Sequence, residues 1–274
     1  MLPIRRTVYR SVRYQPANDD RIVITGIGLV TSIGHSRESV WQAMQRGDCG
    51  GQRLTNVPAI PDGMMLAASV DVEGEFPGQL KNIPLCRQTA AEALADARIH
   101  FGSVDRDRFA CSIGAHMGDT DYVVEKRQLQ DKLIPPGKEP WWQQWLPNTA
   151  CSMVANDYDL RGPRLSNSTA CASGTIAILK AIRSIQDDQC DLALAGSSEA
   201  IHPLFAAGFY NMGVLAEHTD PTQACRPFDV NRTGFVMGEG AGMFVIERLD
   251  HALDRGASIY AEVLGGRILN DAQH

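Results

Sequence analysis

The chain has 274 residues and a formal net charge of −6, with 44% hydrophobic and 21% charged residues. That length allows one large domain or two modest ones with a sizeable core. The charge balance leaves no footprint for nucleic acid, and no apolar run approaches the roughly 18 residues of a membrane span. The seven cysteines are Cys49, Cys86, Cys111, Cys151, Cys171, Cys190 and Cys225. An odd count without a C-x-x-C pair argues against a zinc site, a redox motif or a disulfide framework. Such usage suits a reducing, cytoplasmic setting.

Residues 1–20 form a basic extension, with Arg5, Arg6, Arg10 and Arg13 and no acid before Asp19. The composition fits either an organelle transit peptide or a plain disordered extension, and the missing apolar h-region argues against a secretory signal. Arg21 to Gly28 reads as a buried strand and a glycine turn. Ser36 is placed to cap a helix running to about Arg46, with Glu38 and Ser39 in its first turn and Gly47 to Gly51 as its stop. Residues 52–84 form an irregular excursion with strand-like pieces such as Leu66 to Val72. A helix is predicted over Cys86 to Arg98, a strand over Phe109 to Ile113 and a polar helix over 119–133. Trp141, Trp142 and Trp145 make either a recognition surface or an anchor in a core or subunit contact. A helix from Thr149 to Tyr158 precedes a strand from Arg164 to Ser168. The long apolar helix after Cys171 is predicted to be buried. Strands follow at Asp191 to Gly196, Ala241 to Glu247 and Ile259 to Leu264. Alternating strands and helices predict an α/β sandwich around a mainly parallel sheet.

Gly26-x-Gly28 after a strand suggests a dinucleotide fingerprint, but Thr31 stands where the third glycine belongs. Gly196-Ser197-Ser198-Glu199-Ala200 comes near a serine-hydrolase elbow and lacks the second glycine. The run Gly234 to Gly242 holds four glycines in nine residues. It reads as a close backbone approach to another element or a ligand, or as a plain tight loop. Cys171, in Ser168-Thr169-Ala170-Cys171-Ala172-Ser173-Gly174, sits where a strand ends and a helix begins. A thiol at a helix N-terminus feels the positive end of the macrodipole, which favours a nucleophilic thiolate. From the residues alone, a small buried core residue is an equal alternative.

Together these segments resemble the β-ketoacyl-acyl-carrier-protein synthases, the condensing enzymes of fatty acid and polyketide synthesis, and their elongating type (synthase II) most of all. The resemblance runs from about Arg21 to His274. It is carried by Val23-Ile24-Thr25-Gly26-Ile27-Gly28, Leu160-Arg161-Gly162-Pro163, Thr169 to Gly174, Ala195-Gly196, Arg226-Pro227-Phe228-Asp229, Gly234 to Gly242, Ile259-Tyr260-Ala261-Glu262 and Asp271-Ala272-Gln273-His274. It implies a thiolase-like αβαβα sandwich, with residues 21–256 as the ketosynthase N-terminal domain and 257–274 as the start of a second half. It also implies a homodimer, with Asp191 to Gly196 as the candidate contact strand. Cys171 is then the nucleophile that takes an acyl group from the phosphopantetheine of an acyl carrier protein, and no cofactor or metal is bound by the chain itself. Malonyl-carrier protein loses carbon dioxide, and its carbanion attacks the acyl thioester. The Cys171 N–H is one oxyanion donor. Phe235 matches an aromatic residue beside the family's nucleophile, Phe209 one lining the acyl pocket, and His274 one near the pantetheine channel.

The match departs at Asn167, where the family has an apolar residue; a buried amide needs partners there. The family's two catalytic histidines come from its second half, in a His-Gly-Thr segment and near a Gly-Phe-Gly-Gly segment that also gives the second oxyanion donor. None of His35, His100, His116, His202, His218, His251 and His274 is followed by Gly-Thr, and Gly-Phe-Gly-Gly is absent. Three origins fit: a fragment of a longer synthase, a split protein completed by a second polypeptide, or a non-catalytic descendant. The rival readings are a non-catalytic binding or partner subunit of a ketosynthase complex and, more weakly, a thiolase acting on coenzyme A thioesters.

Overall fold

The computed structural model describes residues 21–55, 60–72, 81–115, 146, 148–201 and 203–270. The basic extension, the helix predicted over 119–133, the tryptophan cluster and His274 lie outside the described residues. In chain order the elements are β1 (Ile22–Thr31), α1 (Arg37–Arg46), β2 (Gln52–Leu54), β3 (Met65–Ala68), α2 (Asn82–Asp96), β4 (Phe109–Gly114), α3 (Thr149–Asp157) and β5 (Arg164–Asn167). Then come α4 (Ser173–Gln186), β6 (Leu192–Glu199), α5 (Pro203–Asn211), β7 (Met237–Gly238), β8 (Gly240–Arg248), α6 (Leu249–Asp254) and β9 (Ala261–Glu262).

Local chemistry explains the helix ends. Ser36 caps α1 reciprocally with Ser39, and Gly47 closes it in the left-handed conformation (φ 76°). Helix α2 begins four residues before the predicted Cys86. Its Pro84 lies in the first turn, where a missing N–H costs nothing. Arg98, at φ 53°, ends that segment. Helix α5 had no counterpart among the sequence expectations.

The main sheet has the order β5-β4-β6-β8-β1-β9. Strands β5, β4 and β6 pair in parallel, but β6–β8, β8–β1 and β1–β9 pair antiparallel. The sheet is therefore mixed, not mainly parallel. Hydropathy does not encode direction: a strand buried on both faces reads the same either way. Strand β6 is hydrogen-bonded on both sides, so Asp191 to Gly196 is interior and cannot join two sheets. Among the described residues, the edge strand on that side of the sheet is β5. Strand β9 is shorter than the predicted Ile259 to Leu264 and is pinned by Arg21, which donates to both carboxylate oxygens of Glu262 (2.8 and 2.6 Å).

The core lies on both faces of this sheet. Phe109, Cys111, Ile113, Leu192 and Leu194 meet α2 and α3, while Ala110, Ala193, Ala195 and Ile246 meet α4 residues such as Ile182 and Ile185. The alternation along β4 and β6 is the two-residue period of a strand covered on both sides. The described residues thus form α, β and α layers, beside a small sheet of order β2-β3-β7. Gly26 and Gly28 serve this packing. A Cβ at either position would lie 2.3 Å from Ala93 O or 2.0 Å from Thr89 O of α2. They let helix and strand touch, and the dinucleotide reading is not needed.

Beyond its short pairing with β9, β1 would present bare N–H groups. Two α2 carboxylates one turn apart accept them: Ile27 N–H donates to Asp96 Oδ2 (2.9 Å) and Leu29 N–H to Glu92 Oε2 (2.8 Å). Glu92 Oε1 also accepts from Arg37 N–H (2.7 Å). Glu92→Ala is expected to cost about 1–3 kcal/mol in urea unfolding, because two partly buried donors lose their acceptor. An unchanged unfolding midpoint would show that water replaces the carboxylate.

Candidate active site

Cys171 lies in a short 3-10 turn, Ala170–Ala172, directly before α4. It therefore sits just ahead of the helix rather than in its first turn. Ala170 holds φ 48°, a left-handed conformation that costs an alanine roughly 1–2 kcal/mol. Strain of this kind persists only where surrounding contacts over-determine it. Here those contacts converge on Ser173: Thr169 N–H donates to its Oγ (2.9 Å), and Asn167 Nδ2 donates to its carbonyl (3.2 Å). Thr169 Oγ1 in turn donates to Asn167 Oδ1 (2.5 Å). The polar Asn167 that departs from the family pattern is thus satisfied, and it ties the end of β5 to the turn.

The Cys171 thiol is exposed, and its N–H has no hydrogen-bond partner among the described residues. Cys171 borders an apolar cavity of about 230 Å³ whose wall includes Gly114, Ser197, Glu199, Phe205, Phe209 and Met237. The core-residue alternative for this cysteine does not hold.

Of the other expected site residues, Phe209 reaches this cavity. Phe235 does not line it; its ring stands edge-on to Phe209, with centroids 5.1 Å apart at 82°. Phe235 N–H donates to Val214 O (3.0 Å), and Phe235 O accepts from Ala216 N–H (2.8 Å). The glycine run follows this bridge and approaches protein backbone, at Gly234 beside Val214 and at Gly240 beside Val30. Ser198 is no nucleophile, because its buried Oγ donates to Asn82 O (2.9 Å). Sequence reasoning missed Phe205. Its signal was the four-residue spacing to Phe209, visible once Pro203–Asn211 is known to be a helix. No group of three potential metal ligands and no helix long and apolar enough to cross a membrane occurs among the described residues.

Gly114, at the end of β4, meets the Cys171 turn from behind. A Cβ there would lie 2.5 Å from Ser173 O and 2.8 Å from Ser173 Cβ. Gly114→Ala is expected to cost about 1–3 kcal/mol by overpacking and to change the alkylation rate of Cys171. Urea unfolding and thiol labelling read the two effects. Wild-type values in both would mean that the turn yields freely.

The family described as "Beta-ketoacyl synthase, N-terminal domain" matches residues 19–252. The chain belongs to the β-ketoacyl synthase family. It is 34% identical over 268 residues to 3-oxoacyl-[acyl-carrier-protein] synthase 2 of Coxiella burnetii, covering 93% of this chain and 64% of that protein. The chloroplastic 3-oxoacyl-[acyl-carrier-protein] synthase II of Arabidopsis thaliana is also 34% identical, covering 94% and 50%. Among solved structures, the fold is similar to a type II polyketide ketosynthase in complex with its acyl-carrier protein, bound to the hexaketide. That likeness has TM-score 0.80, 28% identity and coverage of 93% and 64%. A β-ketoacyl synthase from Burkholderia phymatum gives TM-score 0.78 and 28% identity, with coverage of 88% and 62%. The fold is thiolase-like, as these ketosynthases are. The chain spans 64% of the length of the first of these relatives and half of the second.

Proposed function

We propose that Cys171 accepts an acyl group from the phosphopantetheine thioester of an acyl carrier protein, as the nucleophile of an elongating β-ketoacyl synthase. One observation carries this reading: an exposed thiol, whose N–H has no hydrogen-bond partner among the described residues, borders an apolar cavity. Sγ attacks the thioester carbonyl, and the Cys171 N–H donates to the developing oxyanion. The carbon–sulfur bond to pantetheine then breaks, and the released thiol takes up the proton that the cysteine gave up. The acyl tail rests in the cavity. Malonyl-carrier protein next supplies a carbanion by decarboxylation and lengthens the chain by two carbons. The histidines that the family uses for that step are not among these 274 residues, so the second half-reaction requires groups from elsewhere.

The partners that follow are an acyl carrier protein and a second copy of the chain. With β6 interior, the edge strand β5 is the one to join two sheets across a dimer.

The test is direct. Incubation with acyl-loaded carrier protein is expected to add one acyl mass to Cys171, located by peptide mapping and lost in Cys171→Ala. Malonyl-carrier protein is expected to yield no carbon dioxide above the Cys171→Ala background with this polypeptide alone. An unmodified Cys171 would leave the chain as a non-catalytic partner subunit.

A further inference from the structure

One side chain ties the Cys171 turn to the main sheet by two hydrogen bonds. Asn167 ends β5, where its backbone O accepts from Ala115 N–H (3.2 Å). Its carboxamide reaches forward to the turn. Oδ1 accepts from Thr169 Oγ1 (2.5 Å), and Nδ2 donates to Ser173 O (3.2 Å). Thr169 N–H donates to Ser173 Oγ (2.9 Å), which closes a ring through the three residues. Ala170, Cys171 and Ala172 lie between its two ends. An amide suits this place because it offers an acceptor and a donor at once. An apolar side chain offers neither. An aspartate would set a carboxylate oxygen against the Ser173 carbonyl.

The Cys171 N–H belongs to the peptide plane that joins Ala170 to Cys171, and that plane turns with the Ala170 dihedrals. Ala170 stands at φ 48°, a conformation that an alanine leaves unless its surroundings hold it. Relaxation there swings the N–H, whereas the exposed Sγ can still rotate about χ1 to meet a reagent. We propose that Asn167 is a positioning residue that aims the Cys171 N–H at the thioester oxygen during acyl transfer. This rests on the acyl-cysteine reading above. Attack on a thioester carbonyl makes an oxyanion, so that reaction depends on the N–H. Alkylation by iodoacetamide forms a carbon–sulfur bond at a saturated carbon and expels iodide, and the thiol proton goes to solvent. No oxyanion forms, so alkylation does not depend on the N–H. Two reactions at one sulfur therefore separate the aim of the N–H from the condition of the thiol.

The experiment measures both rates at Cys171 in the 274-residue protein, with acetyl-pantetheine and with iodoacetamide, by intact mass and peptide mapping. Asn167→Leu keeps the branched skeleton of the side chain and loses both bonds. Its acylation rate is expected to fall at least about tenfold further than its alkylation rate. Outright loss of an oxyanion donor costs about a hundredfold to a thousandfold, and here the donor is misaimed rather than removed. Thr169→Val loses only the bond to Oδ1. It should fall between Asn167→Leu and wild type, and it serves if the leucine variant does not fold. Equal falls in the two rates, or no fall in either variant, would overturn the proposal.

Failure of wild-type Cys171 to be acylated would sink the proposed function instead. The aim of the N–H is then read without acyl chemistry, by NMR of protein labelled with 15N-cysteine. The Cys171 amide signal is assigned by its loss in Cys171→Ser. In Asn167→Leu that signal is expected to move, while the signal of Cys190 stays. Cys190 precedes β6 at the end of the sheet away from Asn167, so it reports on the fold as a whole. A Cys171 signal that keeps its position, or that moves only together with Cys190, counts against Asn167 as the residue that aims the N–H.

Discussion

Glu247→Ala is expected to destabilise the fold by about 3–5 kcal/mol, the usual cost of breaking a buried ion pair from one side. Glu247, on β8, is 0% exposed. Its carboxylate accepts from Arg255 Nε (2.8 Å) and Nη2 (2.5 Å) and from Thr25 Oγ1, and it pairs with His251 Nδ1 (2.6 Å). Arg255 also donates to Ala97 O at the end of α2 (2.8 Å). One carboxylate thus joins β1, β8, α6 and the end of α2, and its loss leaves Arg255 without its anion. Urea unfolding measures the effect. Glu247→Gln, which keeps the shape and an acceptor, should lose less, and a loss under 1 kcal/mol in Glu247→Ala would contradict this account.

The same residue predicts a pH dependence. Burial alone would raise the Glu247 carboxyl, but the hydrogen bonds from Arg255, His251 and Thr25 outweigh it and hold the group at about 2, against an ordinary 4.5. A carboxyl depressed in the folded state adds stability that is complete above the unfolded value. That stability is lost as pH falls from about 4.5 towards about 2. The amount is on the order of 3 kcal/mol. Asp188 and Asp191, both held down by hydrogen bonds from Arg108, weaken in the same acid range. The difference between wild type and Glu247→Gln isolates the Glu247 contribution. It should shrink as pH falls, and a pH-independent difference would refute the linkage.

Cys171 is expected to be the most rapidly alkylated of the seven cysteines, by a wide margin over four of them. Cys86, Cys111, Cys151 and Cys190 are buried, so they react only when the fold opens, slower by about a thousandfold or more. Burial also raises the Cys86 thiol and pushes Cys190 up to about 11. Cys111 is raised by its contact with the Cys151 sulfur (3.7 Å) and by burial. Cys49 and Cys225 are exposed, but Cys49 Sγ donates to Thr222 O (3.7 Å), and neither lines the apolar cavity. Reagents with apolar tails should therefore widen the preference for Cys171. Iodoacetamide labelling with peptide mapping decides it, and equal labelling of all seven would defeat the nucleophile assignment.

Much of the outcome was legible in local sequence. Ser36 and Gly47 marked both ends of α1, and the apolar runs at Phe109 and Leu192 marked β4 and β6. The ordered motifs around Cys171 led to the ketosynthase family. What stayed hidden was non-local. Strand direction depends on partners far apart in sequence, as when β8 returns antiparallel between β6 and β1. The start of α2 at Asn82 rather than Cys86 was hidden too, since the place of Pro84 in a first turn depends on where the helix begins. Phe205 shares a face with Phe209 only because Pro203–Asn211 forms a helix.

The sequence by itself thus determined the family and most of the elements, and singled out Cys171 as the candidate nucleophile, because caps, alternation and motif order are carried by neighbouring residues. Only the tertiary structure decided that Asn167, Thr169 and Ser173 hold the Cys171 turn, that β6 is interior, and that Phe205 lines the cavity. These facts depend on which distant segments meet, and packing settles that across the whole chain at once.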